Sequence, residues 1–247
     1  GVAGWWNPYC RDFASVLAEC SWRAGSTPME TIGASSQSVT ANALVLPEYL
    51  LARVGLAQPT YRQTDRRHNI ADYLSLMSSA RGLIQNQQIH FVFLHLPVPH
   101  PPGIYDRRSH RLRAGGNYLD NLTLADDTLG ELMQEIAASA EADRTTVVVS
   151  SDHSWRVPLW ENGPAWTKEE EEVSHGSFDP RPVFLIHFPD QAKGAEVHTQ
   201  VPELEEHEII AAILNRHIEN EAQLAALLGS DKITLAGNEE IRPESGQ

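Results

Sequence analysis

A strand, a long helix and a second strand follow one another in the middle of the sequence, and this order limits the fold more than any other feature. The segment IHFVFLHLP, residues 89–97, is an apolar run too short for a helix and rich in aromatic and branched residues, so it predicts a buried strand. Residues 117–141 predict a helix, and RTTVVVSSD, residues 144–152, predicts the next strand. This βαβ order predicts an α/β fold with a mainly parallel sheet covered by helices on both faces.

The rest of the chain continues the alternation of strands and helices. Apolar runs predict further strands at residues 1–6 and 181–189. Helical spacing of apolar residues predicts helices over 11–22, about 38–54, 64–86, 203–218 and 220–229. In the helix over 117–141, spacing predicts a buried stripe of Leu122, Ala125, Leu129, Leu132, Met133 and Ile136. We expect one domain over residues 1–247, with TKEEEEV at 167–173 as a solvated loop or helix end.

The charge balance and the cysteine content restrict the partners of the chain. The formal net charge is -14, which argues against a nucleic-acid partner because such a partner requires a basic face. No apolar run approaches the roughly 20 residues that would span a bilayer. The two cysteines, Cys10 and Cys20, are too few for a zinc ribbon. They either pair, if the protein faces an oxidising compartment, or remain as buried thiols.

Chemically useful side chains follow the two central strands, at the point where each strand ends. The first strand leads to His95 and His100, and the second to Asp152 and His153. Ligands bind beyond the carboxyl ends of strands in parallel sheets, and a carboxylate beside an imidazole can share a metal. The alternative is that Asp152 is a turn or N-cap residue that His153 merely follows. A further candidate, His175, lies in the loop before the strand over 181–189.

Three segments in this order resemble a known family. LHLPVPHPPGIYDRR (94–108) is similar to a strand that ends in a His and is followed by a second His, Pro, Tyr and Arg. VVVSSDH (147–153) resembles the strand that ends in a metal-binding Asp-His pair, and SHGSFDPRPVFLIHFP (174–189) resembles a His-Gly before a strand. The chain is identified as similar to the carboxyl-terminal part of the alkaline phosphatase superfamily, in its sulfatase-like and phosphoethanolamine-transferase-like branch. The resemblance covers roughly residues 89–230.

The resemblance implies a metal site and a site for an anionic ester. Asp152 and His153 would bind a divalent metal, which would be zinc, manganese or calcium. His100 and His175 would act as catalytic residues that bind sulfate or phosphate oxygens, or a second metal, and we expect all four side chains to cluster at one end of the sheet. His95 would support substrate binding.

Tyr105 and Arg107 complete the candidate site. The resemblance implies that both lie near the substrate, and the alternative for both is a solvated loop. The chain departs from the family at Ser154, where the usual residue is Gly.

The family also requires a Thr, Ser or modified Cys nucleophile and an acidic ligand on the first strand. Neither the nucleophile nor the acidic ligand is recognisable in the sequence. Cys10 is not a candidate nucleophile, because it lacks the Pro and Arg that surround a modifiable cysteine. We therefore expect the sheet to lack its usual first strand, to leave an unpaired edge or a groove near residues 1–6, and to allow a homodimer through an exposed sheet edge.

The resemblance implies that the intact protein is a metal-dependent hydrolase of sulfate or phosphate esters. The alternatives are a phosphoethanolamine- or phosphoglycerol-type transferase, with a lipid or glycan as acceptor, and a non-catalytic sulfatase-like domain that binds metal or anion. The parent is expected to be membrane-anchored, with this domain on the extracytoplasmic or periplasmic side. We expect the chain by itself to be nearly inactive, because covalent catalysis requires the attacking hydroxyl.

Overall fold

The computed structural model forms two compact units. It describes residues 1–5, 8–23, 51, 54, 63–161, 165–175, 177, 179–191, 193–197, 201–229, 233–235 and 240–241. The first unit comprises Gly1–Ala140 with Trp155–Pro180, and the second comprises Glu141–Ser154 with Arg181–Gln247. The helix predicted over about 38–54 lies outside the described residues, apart from two isolated positions.

The first unit contains a small sheet, a hairpin and several helices. Its elements are β1 (Val2–Gly4), α1 (Pro8–Asp12), β2 (Cys20–Trp22), α2 (Gln63–Gln85), β3 (Phe93–His95), β4 (Tyr105–Asp106), β5 (Arg111–Leu112), α3 (Tyr118–Ala137), α4 (Val157–Trp160) and α5 (Lys168–Ser174). Strands β4 and β5 pair as an antiparallel hairpin. A capping box at Asn117 begins α3, so the predicted long helix is confirmed.

The sheet of the first unit is parallel and has the order β2-β1-β3. Val2 pairs with Cys20 on one side and with Phe93 on the other, so β1 is the central strand. The predicted α/β fold with a parallel sheet and helices is confirmed. The prediction of an unpaired edge near residues 1–6 is wrong, because β1 is hydrogen bonded on both sides.

The predicted helix over 11–22 is wrong. The helix here is α1, which ends at Asp12, and residues 20–22 form strand β2. A disulfide joins Cys10 to Cys20 and ties α1 to the first residue of β2. Parallel pairing of β2 with β1 overrides the helical spacing, and Phe13 and Val16, which that spacing placed on a buried helix face, are exposed.

Helices α2 and α3 pack against the sheet and the hairpin. One cluster of buried side chains contains Tyr73, Met77, Ile104, Tyr105 and Leu124. The predicted stripe on α3 is rotated, since Leu122 is 48% exposed whereas Asn121 and Leu124 are buried. The Asn121 side chain hydrogen bonds to backbone groups of Ile104 and His100, so the face of α3 that carries Asn121 is the buried one.

The second unit contains the strand that ends before Asp152. Its elements are β6 (Val147–Ser150), β7 (Phe184–His187), β8 (Ala195–Val197), α6 (Glu206–Leu214), α7 (Glu221–Leu227), β9 (Ile233–Leu235) and β10 (Glu240–Ile241). Strand β6 pairs with β7 in antiparallel register, whereas the sequence predicted a parallel neighbour. Strand β9 pairs with β8 and β10. Phe188 and Ile209 lie at the centre of a buried cluster in this unit.

Within the part of the chain that the structure describes, no helix is both long enough and apolar enough to cross a membrane.

Candidate functional site

Two of the predicted site residues lie at the carboxyl end of the parallel sheet. His95 is the last residue of β3, and the Trp5 amide at the end of β1 donates to its carbonyl oxygen at 2.9 Å. The Trp5 ring packs against both histidines, with ring centroids 6.4 Å from His95 and 5.5 Å from His100. The structure therefore brings His95 and His100 together through one indole, at the sheet end where ligands bind in this class of fold.

The loop that carries His100 is held by a fully buried side chain of α3. Asn121 accepts from the Ile104 amide at 2.8 Å. Its amide group donates to the carbonyl oxygens of His100 at 2.9 Å and Pro102 at 3.2 Å. The His100 ring is in turn oriented by a bond from Nδ1 to the Pro101 carbonyl oxygen, at 2.5 Å. Asn121 is thus a positioning residue for the His100 loop, and the apolar pattern of the helix gave no signal for it.

Gly103 and Gly116 allow the loop before Tyr105 to pack closely against the segment before α3. Gly116 has φ +99°, and a Cβ at this position would overlap the Tyr105 carbonyl oxygen. A Cβ at Gly103 would overlap the Gly116 backbone. Arg66 of α2 donates to the carbonyl oxygens of both glycines, so the loop before Tyr105 and the start of α3 are held together.

Tyr105 is buried in the core, and its hydroxyl is bonded to other protein groups. It donates to Asp127 of α3 and lies 3.3 Å from His110 Nδ1. Burial raises the pKa of Tyr105, and the bond to Asp127 adds to this. The bond from Tyr105 lowers the pKa of Asp127, and His110, 3.1 Å away, acts in the same direction. These contacts give Tyr105 a structural role in joining the hairpin to α3.

Arg107 is engaged by two carboxylates of the same unit. It donates to Glu169 at the start of α5, and its Nε lies 3.5 Å from Asp120 of α3. The bond to Glu169 raises the pKa of Arg107 and lowers the pKa of Glu169. An arginine that is already bonded in this way connects the hairpin to the starts of two helices.

Residues 167–173, predicted to be a solvated loop or helix end, are the N-cap and body of helix α5, and one acidic residue of this helix is buried. Glu170 accepts from the Thr167 amide at 2.7 Å and from the Tyr118 amide at 3.0 Å, so it caps α5 and α3 together. Helix α5 ends at Ser174, and its C-cap is His175, an exposed residue with φ +51° whose amide donates to the Glu171 carbonyl oxygen at 3.0 Å. The structure thus places His175 at a helix end.

Asp152 and His153 directly follow strand β6 in the second unit. Asp152 Oδ1 lies 3.8 Å from His153 Nε2, with the two side chains 84% and 34% exposed respectively. His153 Nδ1 lies 2.7 Å from the Ser154 carbonyl oxygen. A carbonyl only accepts, so Nδ1 carries the proton and the lone pair of neutral His153 lies on Nε2. Ser151 Oγ donates to the His153 carbonyl at 3.1 Å and braces this turn.

This arrangement fits two ligands of a divalent metal. Two atoms that each lie about 2.1 Å from one tetrahedral zinc are about 3.4 Å apart, close to the separation seen here. A backbone carbonyl on the second ring nitrogen is the usual partner of a metal-binding histidine. Among the described residues no group of three His, Cys, Asp or Glu side chains is placed to hold a metal ion. The described residues therefore supply no third ligand beside Asp152 and His153. The roles of all seven candidate residues, and the clustering of the four principal ones, stay predictions.

The comparisons with known proteins bear on the family. The family model named sulfatase matches residues 34–215 of the chain. Comparison with curated proteins and with solved structures returned no match. The matched range contains every candidate site residue from His95 to His175, and it agrees with the α/β architecture. Because the match covers more than half of the sequence, the chain belongs to the sulfatase family, which is alkaline-phosphatase-like.

Proposed function

We propose that this chain provides metal and substrate ligands of a metal-dependent hydrolase of sulfate or phosphate esters. Membership of the sulfatase family supports hydrolase activity at a coarse level, and the family generally uses a divalent metal. The observation that carries the metal assignment is the orientation of His153. Its Nδ1–H is held by the Ser154 carbonyl, which leaves the lone pair on Nε2, 3.8 Å from Asp152 Oδ1.

Asp152 and His153 would hold zinc, manganese or calcium. Such a metal, when bound, lowers the proton affinity of an attacking hydroxyl and screens the charge of the ester. The ring N–H groups of His100 and His175 would donate to non-bridging oxygens, where negative charge increases in the transition state. Asn121 fixes the backbone of His100, and the bond from Nδ1 to the Pro101 carbonyl fixes its ring, so His100 donates to the ester through Nε2, which carries a proton only in the imidazolium form.

The metal assignment is tested by titrating the purified chain with zinc, manganese or calcium. His153→Ala and Asp152→Asn should each weaken binding by at least roughly tenfold, since loss of an outer partner alone costs about 10- to 100-fold. The matched control is His207→Ala. His207 has the same kind of contacts, with Nδ1 2.6 Å from the Leu204 carbonyl and Nε2 3.2 Å from Glu208, but both side chains are largely exposed on α6.

The outcome of the titration separates three cases. Loss of binding in the Asp152 and His153 variants with normal binding in His207→Ala supports the assignment. Equal binding by all variants would remove these two residues from the metal site. Equal weakening by His207→Ala would mean that any surface His–acid pair of this protein binds the metal, and the assignment would fail.

Activity is tested with aryl sulfate and aryl phosphate. We expect the chain alone to be nearly inactive and a version extended upstream in its gene to turn over one of the two esters, because no nucleophile of the family is recognisable in this sequence. Equal turnover by both versions, abolished by His153→Ala, would place the nucleophile within residues 1–247. Transfer of the group to a lipid or sugar hydroxyl instead of water would favour the transferase. Metal binding without turnover in either version would favour the non-catalytic domain.

The disulfide supports a location for the proposed enzyme. Cys10 and Cys20 are joined, and disulfides persist in oxidising compartments. A periplasmic or other extracytoplasmic location is therefore part of the proposal. A membrane-anchored parent is proposed from the family resemblance alone. Labelling of free thiols in protein taken directly from its native compartment tests this, and two free thiols would contradict it.

A further inference from the structure

The ring of Tyr9 lies across the end of strand β3. Its hydroxyl is 3.2 Å from His95 Nδ1, and the two rings meet edge to face with centroids 5.7 Å apart. The same tyrosine ring contacts Phe93, two residues earlier on β3, at 5.2 Å. Tyr9 therefore contacts His95 both through a polar atom and through its ring.

A covalent bond keeps Tyr9 in this place. Helix α1, which carries Tyr9, has only five residues and no buried side chain, so it has little stability of its own. The next residue, Cys10, is bonded to Cys20 at the start of β2. Strand β2 and strand β3 are both hydrogen bonded to β1, so the disulfide fixes α1 to the sheet that carries His95.

A phenol hydroxyl suits the orientation of a histidine that changes its protonation state. The hydroxyl can donate to an unprotonated Nδ1, and it can accept from a protonated Nδ1. The contact thus persists in each tautomer and in the cation, and it sets the direction of Nε2. Trp5 packs against the same ring and limits its rotation further.

We propose that Tyr9, held by the Cys10–Cys20 disulfide, is the positioning residue for His95. The inference rests on the proposed function, in which His95 supports the binding of the anionic ester. Tyr9 acts through His95 and is not assigned a contact with the substrate.

The test is the Tyr9→Phe variant of the full chain, studied by proton–nitrogen correlation spectra of the histidine rings. The signals of His95 are assigned by their loss in His95→Gln. We expect Tyr9→Phe to shift the Nδ1 and Nε2 resonances of His95 and to change its tautomer ratio. Reduction of the disulfide in the folded protein should shift the same resonances in the same direction.

The matched control is Tyr73→Phe, which also removes a tyrosine hydroxyl bond, 2.7 Å long, to Thr128. It should leave the His95 resonances unchanged. Unchanged His95 resonances in a folded Tyr9→Phe protein would overturn the proposal, and so would equal shifts in both variants. If Tyr9→Phe does not fold, the nuclear Overhauser effect between the Tyr9 and His95 ring protons in the unaltered chain decides, and its absence overturns the proposal.

Activity measurements separate this inference from the proposed function. In an upstream-extended version that turns over substrate, Tyr9→Phe should lower kcat/KM by roughly 2- to 10-fold, as loss of one orienting hydrogen bond does. In the His95→Gln background Tyr9→Phe should have no further effect. An additive effect would overturn the inference while the hydrolase assignment stands. Spectral shifts without any turnover would leave the positioning contact intact and reject the hydrolase.

Discussion

Replacement of Asn121 by Ala should destabilise the first unit and displace the His100 loop. Asn121 is 0% exposed, and its side chain bonds to the Ile104 amide and to the carbonyl oxygens of His100 and Pro102. The variant leaves the buried Ile104 amide without this acceptor, which costs about 2 kcal/mol of stability. It also leaves the buried Pro102 carbonyl without this donor, which costs about 1 kcal/mol. The expected loss in the free energy of unfolding is therefore about 3 kcal/mol.

Urea unfolding, monitored by tryptophan fluorescence, measures this loss of stability in the first unit. All six tryptophans of the sequence lie within residues 1–140 or 155–180, so the signal reports the first unit alone. The matched control is Thr123→Ala on the same helix. The Thr123 hydroxyl donates at 3.1 Å to the Leu119 carbonyl, within the helix itself, and its loss should cost under about 1 kcal/mol.

The same variant should also affect the candidate site. Because Asn121 holds the backbone at His100, the ring resonances of His100 should shift in Asn121→Ala and remain unchanged in Thr123→Ala. A loss of stability in Asn121→Ala no larger than in Thr123→Ala would contradict the role of Asn121, since it would show that the loop carbonyls and the Ile104 amide find other partners.

Three further perturbations have defined outcomes. Replacement of Cys10 and Cys20 by Ser should lower the unfolding free energy of the first unit by about 2–3 kcal/mol in urea titrations, because the crosslink closes a short loop. Glu170→Ala should cost about 2–3 kcal/mol in the same assay, since a buried carboxylate caps two helices, whereas Glu172→Ala on the exposed side of α5 should cost little. Asp127→Asn should lower the melting temperature at pH 7, and this difference should shrink as the pH falls below 3.8. The sign follows from the lowered pKa of Asp127, which makes its carboxylate stabilising above the unfolded-state pKa and removes that contribution as the folded-state pKa is passed.

Each of these three predictions would be contradicted by a specific result. A disulfide-free variant as stable as the parent would show that the crosslink adds nothing to the stability of the first unit. Equal effects of the Glu170 and Glu172 variants would remove the capping role. A melting difference at Asp127 that persists in acid would mean that the carboxylate charge is not the source of its stabilisation.

Local patterns in the sequence predicted the secondary structure where one periodicity dominates. The apolar runs contain β3 and β6 within the expected limits, and α3 begins at the Asn117 capping box, because strand and helix preferences and caps act over a few residues. The order of the three motifs likewise predicted the family, which the matched range confirms.

Contacts between distant residues decided what the local patterns could not. The spacing over 11–22 is helical, but pairing with β1 made residues 20–22 a strand. Apolar spacing placed Leu122 in the core of α3, yet buried backbone groups of the His100 loop required a donor and an acceptor, so Asn121 lies there instead. Glu170 is buried in an acidic run for the same reason, because it accepts from the amides at two helix starts.

The candidate site divides in the same way. Residue type and position after a strand are local properties, so they identify from the sequence which residues could bind a metal or an anion. Only the tertiary structure placed the Tyr105 hydroxyl on Asp127, the Arg107 guanidinium on Glu169 and the Tyr9 hydroxyl on His95. These partners are 22, 62 and 86 positions apart in the chain, a separation at which neither periodicity nor a short motif carries information.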